Sequence, residues 1–320
     1  MSIVETLGVL AHRGGLVVER PELSVGIVRA VCRPSGLELE LLARRPLDRR
    51  SASQRQADIR AGRDGPTMAP RRLLPPFDEG IDLRVGWLDG KGRARWEFGS
   101  LSSSSGDHSQ GTRGPSLRTV LHFPPLFDHV SVVLAWPEIG FPETIVDLSL
   151  PDRVTVERDT VSIWEAPLNV ERAEGSLNHR TDTLPFEDLP IEAGRIVAMP
   201  QVVNRGQNAA VVLTRLTAVG KILSMEILSV ADGERADALS ANAFPPAAWR
   251  GQGAAVAVVH DRDAVWVEPY EGSSQGGGHA FRSQDEYIVS RPDSGALTLM
   301  VAWPAAGLAD VRVVVPLSQD

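Results

Sequence analysis

Cysteine is almost absent: the 320-residue chain carries one, Cys32, so no internal disulfide can brace the fold. Set between Val31 and Arg33 in an apolar-rich run, it reads as a small core residue, and a cytoplasmic location is the expectation. Lysine is nearly missing as well, with only Lys91 and Lys221, so positive charge rests on arginine, a bias that fits a high-GC coding sequence rich in Ala, Gly and Arg. Aromatic residues make up 5% of the chain. No uninterrupted apolar run approaches the roughly 20 residues that cross a bilayer, so no membrane partner is expected. The opening MSIVETLGVLAHRGG has Glu5 and only a five-residue apolar run, which does not match an export signal. A surplus of acids, 41 Asp and Glu against 33 Lys and Arg, gives −8 and argues against a general polyanion binder.

What is present is a folding composition: 42% apolar and 23% charged residues, with 29 Gly and 23 Pro to punctuate them. The length suits two domains, and an internal repeat supports that division. HVSVVLAWPEIGFPETIVDLSL at 129–150 aligns without a gap with ALTLMVAWPAAGLADVRVVVPL at 296–317, placing Ala-Trp-Pro 135–137 on 302–304 and Gly140 on Gly307. Upstream, Pro75-Pro76-Phe77 precedes IDLRVGWLD as Pro245-Pro246 and Trp249 precede GAAVAVVHD. Trp96 and Trp266 each come before a Ser/Gly-rich segment containing Ser-Gln-Gly, at 109–111 and 274–276. Runs such as SVGIVRAVCR, LELELLAR, LRTVLHF, AVVLTRL, KILSMEIL and DEYIV alternate or run apolar between Gly, Pro and Asp turns, the mark of short strands. No ten-residue amphipathic helix separates them; SASQRQADIRA at 51–61 has no apolar stripe and reads as a loop. The fold class expected is all-β: two tandem antiparallel β-sandwich domains, immunoglobulin-like or jelly-roll-like, from an internal duplication. Residues 1–152 form the first, with an Arg-rich loop at 44–74 and a Ser/Gly loop at 100–115; 153–195 is a linker; 196–320 form the second.

The Trp-Pro hairpins have a physical reading. Pro137 cannot donate to a ladder, so the strand ending at Trp136 stops there; Gly140 and Gly307 permit the return. Trp136 and Trp303 are therefore expected at equivalent core positions. The Gly-rich stretch, the Pro-rich corner His122-Phe123-Pro124-Pro125-Leu126 and the hairpin VSVVLAWPEIGFPET together resemble an uncharacterised actinobacterial β-domain family, present here twice over about 60 residues of each copy. Ala135 and Ala302 stand where that family has Glu. The resemblance implies a shared β-domain, with no activity and no catalytic residue attached.

Chemistry-bearing residues are sparse. His122, Asp128 and His129 are the tightest group that could hold zinc, but the intervening FPPLF corner fixes no ligand spacing and a fourth ligand is missing. His260-Asp261-Arg262-Asp263 aligns with the turn Leu88-Asp89-Gly90-Lys91-Gly92 and reads as a turn. Gly272 to Gly278 lacks the GK[ST] ending and following helix of a phosphate cradle, and reads as a flexible inter-strand loop. Ser102 to Ser105 lie in no nucleophile elbow, and the carboxylate pairs Glu157/Asp159 and Glu187/Asp188 read as solvated charge. No catalytic residue, cofactor or metal is expected.

The sharpest anomaly is electrostatic. Between Arg44 and Arg72 nine arginines face Asp48, Asp58 and Asp64, a segment charge of +6 that leaves −14 on the rest of the chain. The second copy closes the same gap with SVADGERADALSANA. Residues 49–74 are expected to be mobile, and Arg49, Arg50, Arg55, Arg60, Arg63, Arg71 and Arg72 are the candidate partner-binding residues. An acidic protein face is favoured over nucleic acid because no aromatic residue lies between Arg44 and Arg72 to stack on a base. The functional expectation is a non-catalytic interaction or scaffold protein. The alternatives are a small-ligand or carbohydrate binder using Trp87, Trp96, Trp249, Trp266 or Tyr270, and an enzyme with a site assembled between the domains.

Overall fold

The computed structural model describes residues 6–63, 67–75, 82–97, 101–105, 114–173, 178–181, 193–241, 253–260 and 263–318, with backbone alone at 101–105 and 178–181. These residues fall into two compact units. The N-terminal unit is built from Gly8–Thr160 with residues 193–194, the C-terminal unit from 6–7, 161–181 and 195–318. The stretch 153–195, expected as a linker, is thus shared out between the units and contains a helix and three short strands.

The first strand, β1 (Thr6–Leu7), pairs with β12 (Val161–Ser162) in the C-terminal unit. The N-terminal unit runs β2 (Val9–His12), β3 (Gly15–Glu19), β4 (Ser24–Arg33), β5 (Gly36–Arg44), α1 (Ala52–Arg60), β6 (Arg84–Leu88), β7 (Ala94–Glu97), β8 (Leu101–Ser105), β9 (Ser116–Phe123), β10 (His129–Trp136), β11 (Phe141–Ser149) and α2 (Arg153–Asp159). The C-terminal unit continues from β12 with β13 (Glu171–Arg172), β14 (Asn178–Thr181), β15 (Arg195–Ala198), β16 (Gln201–Arg205), β17 (Ala209–Val219), β18 (Ile222–Asp232), α3 (Glu234–Ala241), β19 (Ala255–His260), β20 (Asp263–Val267), β21 (Glu271–Gly277), β22 (Ala280–Ser290), β23 (Ala296–Trp303) and β24 (Leu308–Pro316).

Each unit is a sandwich of two sheets. In the N-terminal unit a sheet of order β2-β4-β5-β9-β8, with β3 also on β4, faces β11-β10-β6-β7. Alternation decides the facing sides: Val25, Ile27, Leu39, Leu41 and Leu121 from the larger sheet share one buried cluster with Val85, Val132, Leu134 and Phe141 from the smaller. In the C-terminal unit the order is β15-β17-β18-β22-β21, with β16 on β17, against β13-β24-β23-β19-β20-β14. There Val211, Leu213, Ile227 and Tyr287 meet Val256, Leu299, Val301 and Val313. Full burial of each such Leu or Ile contributes about 1.5–3 kcal/mol, so these two clusters carry the fold. The pairings are antiparallel except β14 with β20, which is parallel.

The ten strands β2 to β11 take the same partners in the same order as β15 to β24. Their irregularities coincide too: the β4/β5 ladder shifts between Ile27 and Arg29, and the β17/β18 ladder between Leu213 and Arg215. Both Trp-Pro hairpins turn through a single 3-10 turn, Pro137–Ile139 and Pro304–Ala306, closed by Gly140 and Gly307 at φ 82° and 73°. A left-handed backbone there is the reason glycine is required. Trp136 and Trp303 are both buried, and Trp303 packs against Phe281 at 6.0 Å.

Two expectations are corrected. Residues 52–60 form a helix rather than a loop, because Ser51 and Gln54 make a reciprocal capping box; the helix buries nothing, which is why no apolar stripe announces it. Residues 271–277 form an edge strand rather than a flexible loop, held by a seven-residue register with β22 from Glu271↔Glu286 to Gly277↔Ala280.

Candidate functional site

The arginine segment does not form one surface. Arg49, Arg55, Arg60 and Arg63 are exposed on or beside α1. Arg50 is engaged within the segment, bonded to Asp48 at 2.9 and 3.0 Å and to Asp58 at 3.1 Å, and this hydrogen bonding holds the Asp48 carboxyl down at about 2. Arg71 reaches Glu138 at 2.8 Å, where Arg84 also binds at 2.6 Å; partial burial would raise the Glu138 carboxyl, but its arginine partners leave it below the ordinary value. The amides of Arg72, Leu73 and Leu74 all donate to the Glu143 carboxylate at 2.8 to 3.0 Å. Ala69 donates to the Pro137 carbonyl, Trp96 Nε1 to the Leu73 carbonyl, and Ala69 and Leu74 are buried. The expected mobility of 49–74 therefore does not hold at 69–74, a strap fastened to the β10–β11 hairpin of its own unit.

Buried charge occurs on the outer face of the β2-β4-β5-β9-β8 sheet and of its counterpart β15-β17-β18-β22-β21, at the shared bulge. Arg29 lies opposite Glu40 in register, as Arg215 lies opposite Glu226. Arg29 contacts Glu38 at 2.7 Å and Glu40 at 3.6 Å, and Arg118 also binds Glu40. Arg215 contacts Glu286 at 2.9 Å, Ser224 donates to Glu286 at 2.6 Å, and Thr214 to Glu226 at 2.6 Å. Pairs of this kind add little net stability, because desolvation offsets most of their attraction.

The C-terminal sandwich also holds polar groups on its inner face. Ser229 lies opposite Ser283, and Ile227 opposite Asp285. Ser283 donates to Asp285 at 2.9 Å, Ser229 accepts from the Ala254 amide at 2.9 Å, and Tyr287 donates to the Ala254 carbonyl at 3.0 Å. Burial pushes the Asp285 carboxyl up to about 6, with the Ser283 bond opposing, and pushes the Tyr287 phenol up as well. A Cβ on Gly253 or Gly272 would stand 2.5 Å from an Asp285 oxygen, so glycine at both positions makes room for it. The matching ladder of the N-terminal unit has Ala43 opposite Leu117 and Leu41 opposite Thr119.

One cleft of about 470 Å³ opens on the outer face of the C-terminal unit. Its floor is two rows across three strands: Val230, Arg282 and Gln275, then Asp232, Ala280 and Gly277. Arg282 donates to Gln284 at 3.0 Å along its own strand. One wall is Trp164, carried on the turn after β12. That turn is fixed from both sides. Ile163 and Ala166 are each 1% exposed and pack on Val202, Ala210, Val212, Leu228 and Val230, while the Arg205 guanidinium binds the carbonyls of Ile163 and Ala166, each at 2.9 Å. Trp164 was absent from the sequence-based set of ligand-facing rings; Trp87, in that set, turns inward onto Phe123 at 5.4 Å, Trp96 and Trp266 are half-buried, Tyr270 is exposed, and Trp249 lies outside the described residues.

Among the described residues no group of three or more His, Cys, Asp or Glu is placed to hold a metal; His122 and His129 are exposed, at the end of β9 and the start of β10. His260 and Asp263 pair across the β19–β20 hairpin.

No protein-family model and no curated protein matches the chain. Solved structures similar to it include the N-terminal periplasmic domain of ScsB from Proteus mirabilis, at 10% identity over 96% of this chain and 100% of that one, with a TM-score of 0.22. Bovine butyrophilin follows at 12% identity, 87% and 91% coverage and a TM-score of 0.20, and a conserved domain protein from Bacillus anthracis at 9%, 97%, 92% and 0.22. Superpositions at this level carry no argument about activity, and what the chain can be said to be is a protein of two all-β sandwich units.

Proposed function

We propose that this chain is a non-catalytic interaction protein, its two units descended from one by duplication, which takes up an extended segment of a partner protein as an added strand along β21. The observation that carries this reading is the character of that edge. All seven residues of β21, EGSSQGG, are exposed; among the described residues it pairs with β22 alone, and it has neither Pro nor Lys nor Arg to blunt it. Proteins ordinarily obstruct a strand edge of this kind, and an edge left open offers its backbone groups to another chain. Shared strand order and shared bulge positions in the two units support the duplication.

The test uses proline on alternate residues. Successive amides of a strand point to opposite sides, so of Ser273→Pro and Ser274→Pro one removes an outward donor and the other a bond to β22. Capture of a host protein by the intact chain should be lost in the outward variant with melting unchanged, and amide exchange at 271–277 should slow in the complex. Undiminished capture by the outward variant, or protection confined to another strand, refutes strand addition.

A further inference from the structure

We propose that the cleft walled by Trp164 is a binding site for a short neutral saccharide, about two pyranose rings long. Its volume of about 470 Å³ lies inside the roughly 300–1,000 Å³ range of small-ligand sites. A sugar ring presents C–H faces, which an indole covers without a polar penalty, and a rim of hydroxyls, each both donor and acceptor. The cleft has this division. Trp164 and Val230 form the apolar side, while Arg282, Gln275 and Asp232 give a planar donor fork, an amide with both capacities, and a planar acceptor. The lining carries one cation and one anion, Arg282 and Asp232, on neighbouring strands, so its charge balances and an anionic ligand gains nothing overall. A phosphorylated ligand would call for further basic groups that the lining lacks.

The site is also built in advance. Arg205 and the buried Ile163 and Ala166 hold the turn that presents Trp164, and the β18–β22 ladder holds Arg282 opposite Val230. A ligand therefore need not pay to order its wall, which matters for a small molecule with little contact area. Gly276, Gly277 and Ala280 add backbone and a single methyl to the lining, leaving room rather than bulk.

The experiment titrates the full chain with maltose, cellobiose, lactose and N,N′-diacetylchitobiose, and with glucuronate and glucose 1-phosphate as charged comparators. Tryptophan fluorescence and ligand-observed NMR are the readouts. Expected is saturable binding of at least one neutral disaccharide, weakened about tenfold or more in both Trp164→Ala and Arg282→Gln. Arg282→Gln keeps a planar amide on the sheet, and a thermal melt of each variant checks that the fold persists. Failure of all four disaccharides to bind overturns the proposal, as does binding by the comparators alone, or disaccharide binding that both variants retain. Trp164 lies off β21, so Trp164→Ala should leave strand capture intact, and either idea can fail without the other.

Discussion

Asp285 should make the C-terminal unit less stable as pH rises from about 4 to about 6. The carboxyl is 5% exposed on the inner face of the sandwich, and burial lifts it from 3.8 to about 6. A folded state that holds its proton more tightly than the unfolded chain is favoured where that proton is bound. The contribution is thus fully present below the unfolded value and is lost as pH climbs through the folded one. A difference of that size corresponds to about 3 kcal/mol. Asp285→Asn keeps the shape and can still accept from Ser283, but never ionises. Denaturant unfolding of both proteins across pH 3 to 8, followed by near-ultraviolet signals of Tyr287 and Trp303, should give equal stability at the acid end. A gap favouring the variant should open from about pH 4 to about pH 6 and level off at about 3 kcal/mol. A variant less stable than wild type at pH 7, or a difference that ignores pH, would refute the placement of this carboxyl in the apolar layer.

Other consequences concern packing and local structure. Trp303→Ala should cost about 3–5 kcal/mol by equilibrium unfolding, since the ring is 1% exposed against Phe281, and Trp136→Ala should fall in the same range. Glu143→Ala leaves the amides of Arg72, Leu73 and Leu74 without their acceptor and should cost about 1–2 kcal/mol, with faster proteolysis within 67–75. Ser51→Ala removes the capping box of a helix that buries nothing; trypsin cleavage at Arg55 and Arg60 should accelerate while the melting temperature stays put.

Periodicity made most of the long strands legible. SVGIVRAVCR is β4 residue for residue, and ALTLMVAW is β23, because each is a mainly apolar run bounded by turn residues that is buried along most of its length. EGSSQGG is a poor strand by propensity, and its extended form comes from β22, whose Phe281, Tyr287 and Val289 are anchored in the core. In LELELLAR the alternation correctly sends Leu37, Leu39 and Leu41 inward, yet Glu40 is 1% exposed, buried among arginines whose approach no local pattern encodes. Ser51-Ala52-Ser53-Gln54 encodes the capping box of α1, but a helix that buries nothing leaves no apolar period in the sequence to mark it. The cleft was invisible for a different reason: Trp164 and Arg282 meet only through the sheet order, and no spacing between them carries information.

The two units share a scaffold but use their polar residues differently, and that difference bears on where binding should occur. In the N-terminal unit the charged groups close on one another: Arg29 and Arg118 on Glu38 and Glu40, Arg71 and Arg84 on Glu138, three backbone amides on Glu143. Groups engaged in this way tie neighbouring strands and fasten the strap, and a ligand would have to displace a bond already made to gain one. In the C-terminal unit Arg215 closes on Glu286 in the same way, but the inner face accommodates Ser229, Ser283 and Asp285 at a cost in stability, and the outer face sets Asp232 and Gln275, both exposed, beside the half-buried Trp164. A ligand in that cleft would exchange water for contacts to Asp232 and Gln275, whereas Arg282 already donates to Gln284 and would have to share that bond. Two units with one strand order give latitude for such a division, since sequence change in one can trade stability for surface chemistry while the other keeps its bonds.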